Sequence, residues 1–142
     1  MQIISVINQK GGVGKTTTVI NLAAGLTQLN KKILVIDLDP QGNATTGLGL
    51  SNVDNSSDTI YGVLNGTREI NDIIKKTQFE NLDIITSNVD LSGLEVETAA
   101  DSNRAFILKA KLSPYLNNSR GLYDYVLIDC PPSLSLLTVM AL

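Results

Sequence analysis

Between a short apolar run and a helical pattern the sequence carries Asn8-Gln9-Lys10-Gly11-Gly12-Val13-Gly14-Lys15-Thr16-Thr17. Few local sequences constrain a fold more tightly. The preceding run, Ile3, Ile4, Val6 and Ile7, is β-branched and fits a strand, whereas Val19, Leu22, Ala23, Leu26 and Leu29 recur at helical spacing. Glycines at 11, 12 and 14 let the backbone take φ > 0 and approach an anion closely. The N–H groups of the loop, Gly11 through Thr17 with Val13 among them, then converge with the helix N-terminus on phosphate. Lys15 adds a compact positive charge for the β/γ-phosphates, and the Thr16 hydroxyl is a Mg²⁺ ligand by type. Strand, Gly-rich turn and Gly-Lys-Thr opening a helix, in that order, read as a phosphate-binding loop.

Three more apolar runs, Ile33 to Ile36, Leu82 to Ile85 and Val126 to Ile128, complete a set of four candidate strands. They are nearly continuous in apolar character, as parallel strands covered on both faces require. Ile3 to Ile36 is one βαβ unit, and the whole predicts an α/β fold with a doubly wound parallel sheet, a single domain over 1–142. Gly42 to Ser57, rich in Gly, Asn, Ser and Thr, predicts a long loop. Short helices are expected near Ile60 to Leu64 and Ile70 to Lys76, and longer ones around Leu91 to Ala99 and Ala105 to Leu116. The last apolar run, Leu134 to Leu142, has no helix stop signal. The chain therefore reads as the N-terminal portion of a larger domain, with an open sheet edge that predicts poor solubility and little activity on its own.

Composition narrows the chemistry. The 142 residues include no His and one Cys, which leaves no internal disulfide, makes a zinc or iron–sulfur site unexpected and fits a reducing cytoplasm. Catalysis must then use Lys, Asp, Thr or backbone groups. Cys130, with no His to activate it, reads as a packed small residue. No run reaches the roughly 18 apolar residues of a membrane span. With 11 basic against 14 acidic residues, this stretch does not predict a large basic surface for nucleic acid.

Acidic residues close two of the strands. Asp37-Leu38-Asp39-Pro40 follows the second, and alternation puts Asp37 and Asp39 on one side at the carboxyl edge, where open α/β sheets bind ligands. Asp129 ends the fourth strand, Tyr125 to Asp129, in the arrangement by which a Walker B carboxylate binds Mg²⁺ directly or through water.

The motif departs from G-x-x-x-x-G-K-[ST] in having Gln9 where Gly would stand, followed by a second lysine. Lys10 to Thr17 closely resembles the deviant Walker A motif of the ParA/MinD/nitrogenase-iron-protein group of P-loop ATPases. Asp-Pro-Gln-Gly-Asn-Ala-Thr from Asp39, and Asp-Cys-Pro-Pro-Ser from Asp129, resemble the ParA/Soj branch in particular. That resemblance implies a partition ATPase that binds ATP and Mg²⁺ and forms a nucleotide-sandwich homodimer. It further implies stimulation by a ParB-type centromere-binding protein and non-specific DNA binding through residues outside this stretch. It assigns Lys10 to the partner's phosphates, Asp39 to the attacking water, and Asp37, with Thr16 and Asp129, to Mg²⁺ and its waters. Met140 stands where many members of the family carry Asn, so no nucleotide-sensing role is carried over to it. Two other readings are a nucleotide-binding module without turnover and a MinD-like membrane-associated regulator; the partition-type sequence at Asp39 to Thr45 argues against the latter.

Overall fold

The computed structural model describes residues 1–8, 10, 12, 14–50, 55–118 and 121–142. Strands β1 (Gln2–Val6), β2 (Ile33–Asp37), β3 (Ile74–Lys76), β4 (Leu82–Ile85) and β5 (Tyr125–Asp129) form one sheet in the order β1-β5-β2-β4-β3. The first four in that order are parallel, and β3 runs antiparallel to β4 at the edge. The helices are α1 (Lys15–Gln28), α2 (Asn43–Gly47), α3 (Ile60–Leu64), α4 (Ile70–Ile73), α5 (Leu94–Glu97), α6 (Ile107–Asn118) and α7 (Leu136–Met140).

Strand periodicity explains how one sheet feeds two cores. Ile33 and Val35 face α1, packing with Val19, Ala23, Leu82, Ile84 and Leu127. Leu34 and Ile36 face the other way, into a larger cluster that includes Ile85, Val126, Ile128 and the apolar sides of α3, α4, α6 and α7. All five residues of β2 are buried, which is why its sequence is continuously apolar up to Asp37. With α1 on one face and α3 to α7 on the other, the fold is doubly wound. β5 enters between β1 and β2 after the chain has gone out to β4, so the carboxyl ends of β1, β5 and β2 meet at a point where strand order reverses.

Three sequence expectations are corrected. The expected helix over Ile70 to Lys76 is only the turn Ile70–Ile73, after which Ile74–Lys76 becomes an edge strand. Ile70, Ile73 and Ile74 satisfy a helical spacing, but β4 offers Ile74 and the two lysines an antiparallel ladder, and lysines suit an exposed edge. The sheet thus has five strands, not four. The expected loop from Gly42 to Ser57 contains α2, whose start is capped from outside its own sequence, as described below. The expected helix over Leu91 to Ala99 is split between a 3₁₀ stretch, Val89–Gly93, and α5. Of the loop, residues 51–54 lie outside those described.

At the end of the sheet away from the phosphate loop, β4 buries a charge. Asp83 accepts hydrogen bonds from the Tyr123 hydroxyl at 2.7 Å and from Lys76 Nζ at 2.9 Å. Burial and this carboxylate together hold the Tyr123 phenol above its ordinary pKa, so it remains a donor. Tyr123 is buried, whereas the Lys76 side chain is 86% exposed. Tyr123→Phe is therefore expected to destabilise the protein by about 1–3 kcal/mol in denaturant titration, because it leaves a buried acceptor short of its donor. Lys76→Ala should cost less than about 1 kcal/mol. Equal effects would show that the phenol is not the group that holds Asp83.

Candidate nucleotide-binding site

Helix α1 begins at Lys15, and Gly14 before it has φ 81°, left-handed backbone that favours glycine. Gly12 has φ 73°. Gly14 offers no side-chain cap, and no acidic residue stands in the first turn. The positive end of a 14-residue helix is thus left for an external anion. Among the described residues nothing lies within 4 Å of where a Cβ would sit on Gly12 or Gly14, so the backbone there is open to a close-approaching group. Gly11 and Val13, expected to donate from the same loop, lie outside the described residues.

The first helical turn reaches directly into the sheet. Lys15 Nζ donates to Asp129 Oδ1 at 2.7 Å, and Thr16 Oγ1 donates to Asp129 Oδ2 at 2.8 Å. The Lys15 side chain is 8% exposed and that of Asp129 is fully buried. One carboxylate thus receives both side chains from the start of α1, across more than 110 residues of sequence. Thr17 and Lys10 are exposed; the Lys10 backbone N–H donates to Asn8 Oδ1 at 2.9 Å, and its ammonium makes no ion pair among the described residues.

Asp37 lies level with Asp129 across the β2–β5 ladder, and both share the face that packs on α1. Its carboxylate accepts three hydrogen bonds. Oδ1 accepts from Asp39 N at 3.0 Å, and Oδ2 accepts from both Thr45 N and Thr45 Oγ1 at 2.8 Å. Thr45 N is an otherwise uncapped donor in the first turn of α2, whose N-cap is Gly42 at φ 64°, so Asp37 caps that helix from the neighbouring strand. Burial pushes the Asp37 carboxyl up to about 7, against the hydrogen bonds from Thr45 and Asp39, with the charge of Asp129 adding a smaller push.

β2 ends at Asp37, so Asp39 is set by a turn instead of by strand alternation. Asp39 is 3% exposed, its Oδ1 accepts from Gln41 N at 3.0 Å, and its carbonyl accepts from Gly42 N at 2.8 Å. Cys130 is buried beside Asp129, and burial, reinforced by that carboxylate and opposed by Lys15, pushes its thiol up to about 12. It stays a protonated, packed side chain.

The donor set fits a magnesium nucleotide. A hydroxyl and a carboxylate are hard oxygen ligands that suit Mg²⁺, which takes one or two carboxylates and completes its shell with waters and phosphates. Among the described residues no cluster of three or more His, Cys, Asp or Glu stands ready to hold a metal unaided. Sequence reasoning missed Thr45 and Ser87, the residues around Asp37. Their only signal, a Thr eight positions after an Asp, becomes meaningful once the chain has turned at Gly42.

The chain matches the family model described as an AAA domain over residues 1–142. It is 48% identical over 141 residues to the sporulation initiation inhibitor protein Soj of Bacillus subtilis, which covers 99% of this chain and 54% of that protein. It is likewise 48% identical over 141 residues to the chromosome partitioning protein ParA of Myxococcus xanthus, covering 99% of this chain and 48% of that one. The chain thus spans about half the length of these curated relatives. The crystal structure of cobyrinic acid a,c-diamide synthase from Mycobacterium smegmatis, with bound ATP analog and magnesium, superposes with a TM-score of 0.90 at 38% identity, over 100% of this chain and 54% of that one. The phosphate loop, the doubly wound sheet and these similarities agree: the chain belongs to the AAA-domain family of P-loop ATPases, among relatives of the Soj and ParA partition proteins.

Proposed function

We propose that this chain carries the catalytic apparatus of a ParA/Soj-type partition ATPase, which hydrolyses MgATP to ADP and phosphate and uses nucleotide state to switch between monomer and dimer in chromosome or plasmid segregation. The observation that carries this reading is the convergence of Lys15 and Thr16, from the first turn of α1, on the buried Asp129. Lys15 and the loop amides from Gly11 to Thr17 hold the β/γ-phosphates. Thr16 and Asp129 hold Mg²⁺, and Asp37 supports the cation and its waters from the next strand. Bound Mg²⁺ supplies charge neutralisation on the phosphate oxygens. Asp39 orients the attacking water, and Lys10 reaches the phosphates of the partner subunit, where its charge acts as an arginine finger would. Most of the rate then comes from positioning and preorganised charge.

Partners follow the same reading: a second copy in the presence of ATP, a ParB-type centromere-binding protein, and non-specific DNA contacted outside this acidic stretch. The site of action is the cytoplasm, at the nucleoid. Among the described residues no helix is long and apolar enough to cross a membrane.

Two experiments test the proposal. Lys15→Ala should abolish MgATP binding in calorimetry, whereas Asp39→Ala should keep binding within about threefold and lose turnover by roughly 100-fold, a loss confined to the transition state. Tight MgATP binding by the first variant, or near-normal hydrolysis by the second, contradicts the assigned roles. Lys10→Ala should abolish ATP-dependent dimerisation in size-exclusion chromatography while leaving ADP affinity unchanged. Collapse of ADP affinity with dimerisation intact would place Lys10 within its own subunit.

A further inference from the structure

The carboxylate of Asp37 and the turn that carries Asp39 are held by one side chain that the catalytic reading does not use. Thr45, 4% exposed, donates its hydroxyl to Asp37 Oδ2 at 2.8 Å and accepts Ser87 N–H on the same oxygen at 3.0 Å. Its own N–H meets Asp37 Oδ2 as well. The hydroxyl therefore joins three elements: the end of β2, the first turn of α2 and the segment leaving β4. Gly42, at φ 64°, makes the left-handed turn that brings α2 back beside the Ser87 carbonyl. The turn 39–42 is suspended between these points. It is anchored at one end by Asp39 N on Asp37 Oδ1, and internally by Gln41 N and Gly42 N on Asp39.

We infer that Thr45 is a positioning residue for hydrolysis: its hydroxyl clasps Asp37 to the end of β4, and so fixes the turn from which Asp39 acts on water. The inference rests on the role proposed for Asp39. Thr45 touches neither phosphate nor water in this account, and its effect passes through Asp37 and the backbone of the turn. Thr45→Val removes the hydroxyl donor to Asp37, which keeps only the backbone N–H groups of residues 39 and 45, and leaves Ser87 N–H facing a methyl group. A serine keeps both bonds. Misplacement of a catalytic group by about 1 Å is enough to cost on the order of 100-fold in rate.

The test compares Thr45→Val, Thr45→Ala and Thr45→Ser with the unaltered protein, the alanine variant serving should valine at this buried site prevent folding. Single-turnover hydrolysis of MgATP should fall by about 30-fold or more in the valine and alanine variants and return to within about threefold in the serine variant. Affinity for ADP measured without Mg²⁺ should stay within about threefold throughout, because Lys15 and the loop amides are untouched. Amide hydrogen exchange supplies a readout independent of turnover. Exchange at Asp39, Gln41 and Gly42 should accelerate at least about tenfold in the valine and alanine variants, with the amides of α1 unchanged and the serine variant protected. If the unaltered protein binds nucleotide without hydrolysing it, the proposed ATPase function fails, and the exchange result alone decides the role of Thr45. Unchanged exchange in the turn overturns the inference. So does a serine variant as slow as the valine variant, since serine keeps both hydroxyl bonds.

Discussion

The buried carboxylate of Asp129 is the fixed point of this molecule. It lies at the end of the strand that enters between β1 and β2, and it receives an ammonium and a hydroxyl from the first turn of α1. Burying an unpaired carboxylate costs several kcal/mol, so the position is tenable only with such partners. The same bonds hold the start of α1 against the end of β5. On the proposed function, stability and phosphate recognition would draw on one set of contacts: Lys15 would turn to phosphate and Asp129 to Mg²⁺, so that cation and nucleotide would be accepted together.

Asp37 and Asp39 extend this arrangement along the sheet edge. All three carboxylates are buried, and each has its own donors. Burial raises the Asp37 carboxyl, which is held directly by Thr45 and Asp39 and indirectly by Ser87, through Thr45, and Gly42, through the turn. A cation near Asp37 and Asp129 would relieve both the burial cost and their mutual repulsion. On the proposed function, Mg²⁺ would sit where these two level strands bring their terminal carboxylates side by side.

What the sequence made legible, and what it hid, divides along local and tertiary causes. The β1–α1–β2 unit and β5 were legible because the strand runs are continuously apolar and α1 keeps helical spacing, although only β2 and β5 are buried along most of their length while the edge strand β1 is not. Lys15, Thr16 and Asp129 were legible as types, since a Gly-rich turn between strand and helix and an Asp closing an apolar strand carry their meaning locally. β3 was hidden because Ile70, Ile73 and Ile74 fit a helix until β4 offers a ladder. α2 was hidden because its cap comes from Asp37, outside the helix, and its own Asn-Ala-Thr-Thr-Gly sequence has weak helical preference. Thr45 was hidden for the same reason: its hydroxyl gains partners only through the turn at Gly42 and the arrival of Ser87.

On the proposed function, Asp129 would exchange Lys15 for Mg²⁺ as nucleotide binds. A crystal structure of the protein with Mg²⁺ and a non-hydrolysable ATP analogue decides this. Lys15 Nζ is expected on the β/γ-phosphate oxygens and beyond hydrogen-bonding distance of Asp129, more than about 3.5 Å away, with Thr16 Oγ1 and Asp129 both turned to the cation. A Lys15–Asp129 pair that persists unchanged beneath bound analogue, with the cation held elsewhere, would contradict it.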